Sequence, residues 1–345
     1  MNKFDPADIY GSILALPQQC RHAWEETRNF SVPQTYKNVH KIIMSGMGGS
    51  GLGARIIDSV YSRELAVPLI LINDYNLPAW ADEKTLVICS SFSGMTEETI
   101  SIAKQAQAKH CCWMAISNGE TLHELALQSG VPAYKINPTF NPSKQPRMAL
   151  GYSIIGQLAM VAATGIISLS ESIITDLVTA MKTQISKSEQ AKRLAKKFFQ
   201  KQVMFISSEH LTGAVHAVKN QMNENAKNLA HRYDLPELNH HLMEGLRFPQ
   251  ANKKDIIFFF VDSKIYSPRI RQRLQLTETV VKKNNIPTVL WQAQAKNKLT
   301  QVFELIQFCA LADYYLAIFY QLNPAPVPWV DYFKTKLGQP LGQWK

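Results

Sequence analysis

Two short loops carry the phosphate chemistry that can be read directly from this chain. The first, MSGMGGSGLGARI at residues 44 to 56, places Gly46, Gly48 and Gly51 in a G-x-G-x-x-G spacing that encloses Gly49 and Ser50. Between a strand and a helix, closely spaced glycines let backbone N–H groups approach an anion, and the helix N-terminus adds partial positive charge. The spacing is that of a dinucleotide-binding turn, and Asp74, 23 residues past Gly51, lies near where an acid would hold a ribose hydroxyl. The same physics serves any phosphate. The second loop, CSSFSGMTEET at residues 89 to 99, surrounds Gly94 with Ser91, Ser93 and Thr96. Hydroxyls combined with helix amides suit a terminal phosphate, which has three oxygens to satisfy, whereas a pyrophosphate bridge does not demand a second loop. Capping of the next helix by Thr96, ahead of Glu97 and Glu98, is the plainer use of those hydroxyls. Taken together, the loops favour a phosphate site made of Gly48, Gly49, Ser50, Ser91, Ser93 and Thr96.

Such loops need strands behind them and helices ahead of them. HKIIMSG, VPLILIND, TLVICSS and CCWMAIS read as strands, with helices expected near 51 to 62, 94 to 108 and 121 to 129. Continuous apolar runs joined by helices imply a parallel sheet covered on both faces. Residues 147 to 198 read as helical and amphipathic without a strand. The alternation then resumes with QVMFISS, a helix at 212 to 227, DIIFFFV, a helix at 268 to 284 and PTVLWQA, followed by a helix at 298 to 322 and a short last helix after NPAPVPW. The expected fold is therefore α/β, with two parallel sheets flanked by helices. Its divisions are an N-terminal domain at 1 to 150 that includes a helical extension, a helical connection at 151 to 198, and a C-terminal domain at 199 to 345. Ligands of such sheets lie at the carboxyl ends of the strands.

Composition narrows the setting. The 345 residues, 46% of them hydrophobic, suffice for two buried cores. A net charge of +10 favours an anionic partner, which on sign alone includes phosphorylated metabolites, nucleic acids and membrane surfaces. Basic segments such as KRLAKKFFQKQ read as solvated helix faces, lacking the aromatic interleaving of a single-strand nucleic-acid site. The five cysteines form no C-x-x-C pair, so a reduced cytoplasm without a structural zinc is the expectation. GYSIIGQLAMVAATGIISL at 151 to 169 is apolar but interrupted by Ser153, Gln157 and Thr164, which favours a buried helix over a membrane span.

The two loops in this order, GMGGSG and SSFSGMTEET, resemble the sugar isomerase (SIS) domain. QMNENAKNLAHRYDLPELNHHLMEG at 221 to 245 resembles the signature of the bifunctional phosphoglucose/phosphomannose isomerase family. QPRMALGY and VPWVDYFKTKLG match in the same order, so the likeness spans nearly the whole chain. The resemblance implies an aldose-ketose isomerase acting on glucose 6-phosphate and mannose 6-phosphate through a cis-enediolate, without metal or cofactor, in a homodimer with no nucleic-acid or membrane partner.

By that resemblance Glu224 is the base and His240 assists ring opening. Lys334 handles the ring oxygen, and Arg147 stabilises the enediolate. Several positions depart from the family pattern: Met95 and His241 stand where relatives have asparagine, Leu229 where they have proline, and Asn323 and Ala325 where many have the aspartate and threonine of Asp-Pro-Thr. The last makes the mannose epimer the less secure substrate. The alternatives are a sugar-phosphate-binding regulator, for which residues 1 to 40 offer no convincing DNA-binding module, and an NAD-dependent dehydrogenase.

Overall fold

A computed structural model describes residues 3 to 341. In chain order the helices are α1 (Ile9–Leu14), α2 (Leu16–Thr27), α3 (Leu52–Tyr61), α4 (Glu97–Ala108), α5 (Glu120–Gln128), α6 (Leu150–Ala163) and α7 (Glu171–Ser186). They continue with α8 (Ser188–Phe198), α9 (Thr212–Gln221), α10 (Asn252–Asp255), α11 (Pro268–Lys283), α12 (Lys298–Phe319) and α13 (Pro328–Leu341). The strands are β1 (Lys41–Gly46), β2 (Leu69–Ile72), β3 (Thr85–Ser90), β4 (Cys112–Ser117), β5 (Ala133–Lys135), β6 (Gln202–Ser207), β7 (Ala230–Asp234), β8 (Ile256–Asp262) and β9 (Thr288–Gln292).

They form two parallel sheets, one in the order β2-β1-β3-β4-β5 and the other β7-β6-β8-β9. In the first, Ile43 pairs with Ile70 on one side and Val87 on the other; in the second, Phe205 lies between Arg232 and Phe259. β3 is buried along its whole length and β6 along all but its first residue, as apolar strands covered on both faces must be. Two strands escaped the sequence reading. β5 has only three residues. β7, AHRYD, is an edge strand whose last four residues are half-exposed, so its polar side chains conceal the strand.

Helices from both sheets meet in the middle. α3 packs on α9 and α6, while α12 packs on α7, α8 and α9. The α3/α9 crossing is close because Gly213 has no side chain, and a Cβ there would lie 2.4 Å from the Arg55 carbonyl. α12 is buried along most of its length, Gln301, Glu304, Gln307 and Asp313 included, which makes it a core helix although its length would suit a membrane span. The 14-residue α6 is likewise buried at twelve consecutive positions from Leu150 to Val161. Behind β6 and β8, Phe198, Phe205 and Phe259 pack edge to face with centroids 5.5–6.3 Å apart. Truncating one such ring to alanine typically costs about 3–5 kcal/mol.

Candidate active site

Strand order reverses between β1 and β3, and the loops that leave these two strands flank that switch point. They are the two loops singled out in the sequence. The turn after β1 is tight enough that a Cβ on Gly51 would sit 2.5 Å from the Gly46 carbonyl oxygen. In the loop after β3, Gly94 takes φ 73°, and a Cβ there would lie 2.0 Å from the Gly119 carbonyl oxygen. The Phe92 N–H donates to Ser50 Oγ at 2.9 Å and ties the loops together. Ser91 Oγ and Thr96 Oγ1 pair at 2.8 Å, and Ser93 Oγ accepts from the Met95 N–H at 3.2 Å. Thr96 occupies the N-cap of α4 but makes no side-chain cap, so its hydroxyl faces Ser91 instead of the helix amides. The first amides of α4, without intrahelical partners, remain available to an anion.

Arg147 joins this loop cluster to a carboxylate. Its turn, Pro146–Met148, abuts the first loop so closely that a Cβ on Gly49 would stand 3.4 Å from the Arg147 Cα. Arg147 is 6% exposed, and four of its five N–H donors are engaged among the described residues. Nε donates to Asn225 Oδ1 at 2.7 Å, Nη1 to Gln145 Oε1 at 3.1 Å, and Nη2 to the carbonyls of Pro324 and Ala325 at 2.8 and 2.6 Å. Glu224 Oε2 lies 4.0 Å from Arg147 Nε. The carboxylate stands on a π-turn, Met222–Ala226, that extends α9, a local irregularity common at functional sites. Burial raises its proton affinity above that of an ordinary glutamate, and Arg147, Lys227, Lys219 and Lys334 oppose the rise.

The structure thus gathers Gly48, Gly49, Ser50, Ser91, Ser93 and Thr96 at the switch point, with Arg147, Glu224 and the charge of Lys334 beside them. Lys334 is exposed on α13. His240 is not part of this group. Itself exposed, it ends the turn Glu237–His240 beyond β7, and among the described residues no hydrogen bond or ion pair links it to Glu224, Arg147 or Lys334. Asp74 lies past β2, where its carboxylate accepts from the Tyr75 N–H at 2.5 Å. Its neighbour Asn73 is the residue that holds the first loop, donating to the Gly46 carbonyl at 2.6 Å.

Four residues not chosen from the sequence complete the surroundings. Gln157 Nε2 donates to the Ser50 carbonyl at 2.9 Å and to Ser90 Oγ at 3.1 Å, and so fixes the two loops from α6. Its signal was visible as a polar interruption in an apolar helix. Asn73, Asn225 and Lys227 gave none, since an amide or lysine beside a loop is commonplace. Two of the departures from the family pattern fall nearby. Met95 is 40% exposed at the loop rim, its thioether accepting from Thr121 Oγ1, and Ala325 contributes a backbone carbonyl to Arg147.

The chain is similar to several known proteins. The sequence profile of the bacterial phospho-glucose isomerase C-terminal SIS domain matches residues 187–337. A protein of Caldicellulosiruptor bescii named bifunctional phosphoglucose/phosphomannose isomerase is 31% identical over 349 aligned residues, covering 96% of this chain and 99% of its own. The chain belongs to that family. A D-glucosamine-6-phosphate 4-epimerase of Sulfolobus acidocaldarius is a more distant relative, 29% identical over 68% of this chain and 73% of its own. Among solved structures, a hypothetical protein of Thermus thermophilus superposes with a TM-score of 0.73 at 16% identity, covering 97% of this chain and 91% of its own, which reflects the shared fold. The two parallel sheets of the structure agree with that membership.

Proposed function

We propose that this protein interconverts fructose 6-phosphate with glucose 6-phosphate and mannose 6-phosphate. The observation that carries the reading is the span of Arg147, whose backbone abuts the glycine loop while its guanidinium lies 4.0 Å from Glu224. A phosphate held by Ser50, Ser91, Ser93, Thr96 and the loop amides brings the other end of an open-chain sugar to that carboxylate. Lys334 and His240 open the ring by protonating the ring oxygen and accepting the anomeric hydroxyl proton. Glu224 then removes the proton from C2. The C–H electron pair forms the C1–C2 double bond, the C1 carbonyl electrons move onto O1, and Arg147 with the loop N–H groups holds the negative oxygen. The proton on Glu224 returns to C1 while the O2 hydroxyl proton passes to O1, which leaves the ketose. Rotation about C2–C3 presents either face of C2, so one base serves both epimers.

The half-buried Glu224 is suited to this exchange because its raised proton affinity narrows the gap to a weak carbon acid. His240 stands apart from its own chain's cluster and is exposed, which supports a homodimer in which it faces the partner's site. Five unpaired cysteines, four of them buried, fit a reducing cytoplasmic setting. The test is a coupled assay of the purified protein with fructose 6-phosphate, with and without a chelator. Both aldose phosphates are expected, at rates the chelator does not change. Binding of fructose 6-phosphate without turnover would instead favour a sugar-phosphate-responsive regulator.

A further inference from the structure

Lys227 ends the turn that carries Glu224, and no role in the reaction above required it. It adopts φ 51°, a left-handed conformation unusual for a residue with a side chain, and its backbone N–H closes the π-turn onto the Met222 carbonyl. The ammonium folds back over the same turn, donating to the carbonyls of Glu224 at 2.8 Å and Asn225 at 3.5 Å. Its third proton reaches the Pro324 carbonyl at 2.8 Å, across 97 residues of chain. Arg147 Nη2 donates to that same oxygen at 2.8 Å.

The chemistry fits lysine. A helix end leaves carbonyls without intrahelical donors and carries partial negative charge, and an ammonium supplies three donors with a full positive charge. Here two of the three go to carbonyls of the base's own turn and one to the Asn323–Ala325 segment, which leads into α13 and Lys334. We propose that Lys227 is a positioning residue: it fastens the Glu224 turn to the segment entering α13 and so sets where the carboxylate stands relative to Arg147 and Lys334. This inference rests on Glu224 being the base.

The charges around the pair agree. Glu224 is faced by Arg147 from the Pro146–Met148 turn, Lys219 from α9, Lys334 from α13 and Lys227 itself, and each lowers its proton affinity. Asp331 of α13 acts on Arg147 in turn. Burial, with repulsion from Arg147, brings the Lys227 ammonium down to about 8, while Glu224 holds it up.

The experiment measures kcat and KM for fructose 6-phosphate from pH 5 to 9 in wild type, Lys227→Met, Lys227→Gln and Lys227→Arg, with Glu224→Gln as control. Lys227→Met should lower kcat about tenfold or more while KM stays within about twofold, since misplacing a base costs turnover more than binding. The acid limb of kcat/KM should move up by about half a pH unit once a nearby cation is removed. Lys227→Gln should move the limb in the same way, and Lys227→Arg should return it to its wild-type position. If Lys227→Met does not fold, the Gln and Arg variants decide. A limb unmoved by loss of the charge, or a kcat loss that Arg does not reduce, overturns the proposal. Full activity in Glu224→Gln would instead overturn the assignment of the base, independently of Lys227.

Discussion

The two sheets share a strand order at their centres, β2-β1-β3-β4 and β7-β6-β8-β9, and therefore each has a switch point, yet the two are built for different ends. At the first, the loops are open. Ser93 and Gly48 are exposed, Thr96 leaves its helix uncapped, and among the described residues no carboxylate bonds to the loop hydroxyls. At the second, the equivalent space is closed by the chain itself. The Ser208 N–H donates to the hydroxyl of buried Tyr266 at 3.2 Å. Ser263 Oγ donates to Gln301 Oε1 at 2.7 Å, and His210 Nε2 meets the same oxygen at 2.8 Å. Two carboxylates stand where an anion would otherwise sit: Asp262 accepts from the Ser263 N–H at 2.8 Å, and Glu209 accepts from the Ser267 N–H at 3.1 Å before α11. On the proposed reading, the first switch point receives the sugar phosphate, while the second is occupied by hydrogen bonds of the chain itself. The second half of the chain contributes Glu224, Lys227 and α13 instead.

The contrast yields graded predictions. Replacing the base, Glu224→Gln, should lower kcat by about 10²-fold or more while substrate still binds, the usual scale for general-base loss. Glu209→Gln, at the closed switch point, should leave kcat within about twofold, because its carboxylate bonds a helix N-terminus and not a sugar. Ser91→Ala removes the hydroxyl paired with Thr96, and loss of a hydrogen bond to a charged phosphate, about 1.5–3 kcal/mol, should raise KM about ten- to a hundredfold. Ser263→Ala should not change KM. Tyr266→Phe strips the buried Ser208 N–H of its acceptor and should cost about 1–3 kcal/mol of stability, read as a lower unfolding midpoint with unchanged KM.

A pH effect on stability concerns α9, the wall between the two halves. Burial, then Arg55, Arg232 and Lys219, lowers the proton affinity of His216 from 6.5 to about 3. Below pH 6.5 the unfolded chain takes up a proton that the folded chain refuses, so stability falls as pH drops from 6.5 towards about 3. His216→Asn should remove that part of the decline. Equal acid sensitivity in the variant would show that His216 is not held neutral.

Much of this difference between the halves lies outside what single residues announce. The apolar runs of β1, β3, β4, β6, β8 and β9 and the hydroxyl-rich loops were readable because burial and anion binding leave compositional marks. The polar edge strand β7 left none. The π-turn under Glu224 follows from which carbonyl the Lys227 N–H reaches, and no periodicity encodes that choice. The link from Gly49 through Arg147 to Glu224 is tertiary, as is Gln157 bonding a carbonyl 107 residues away. Tyr266 reads as an ordinary buried aromatic until its hydroxyl is found on the Ser208 amide.

On the proposed reading, one sugar phosphate binds per chain, at the switch point of the first sheet. Calorimetric titration of the Glu224→Gln protein with glucose 6-phosphate tests it directly. One molecule per chain is predicted, with affinity weakened by adding Ser91→Ala and unaffected by adding Ser263→Ala. Two molecules per chain, or binding that Ser263→Ala weakens and Ser91→Ala does not, would contradict it.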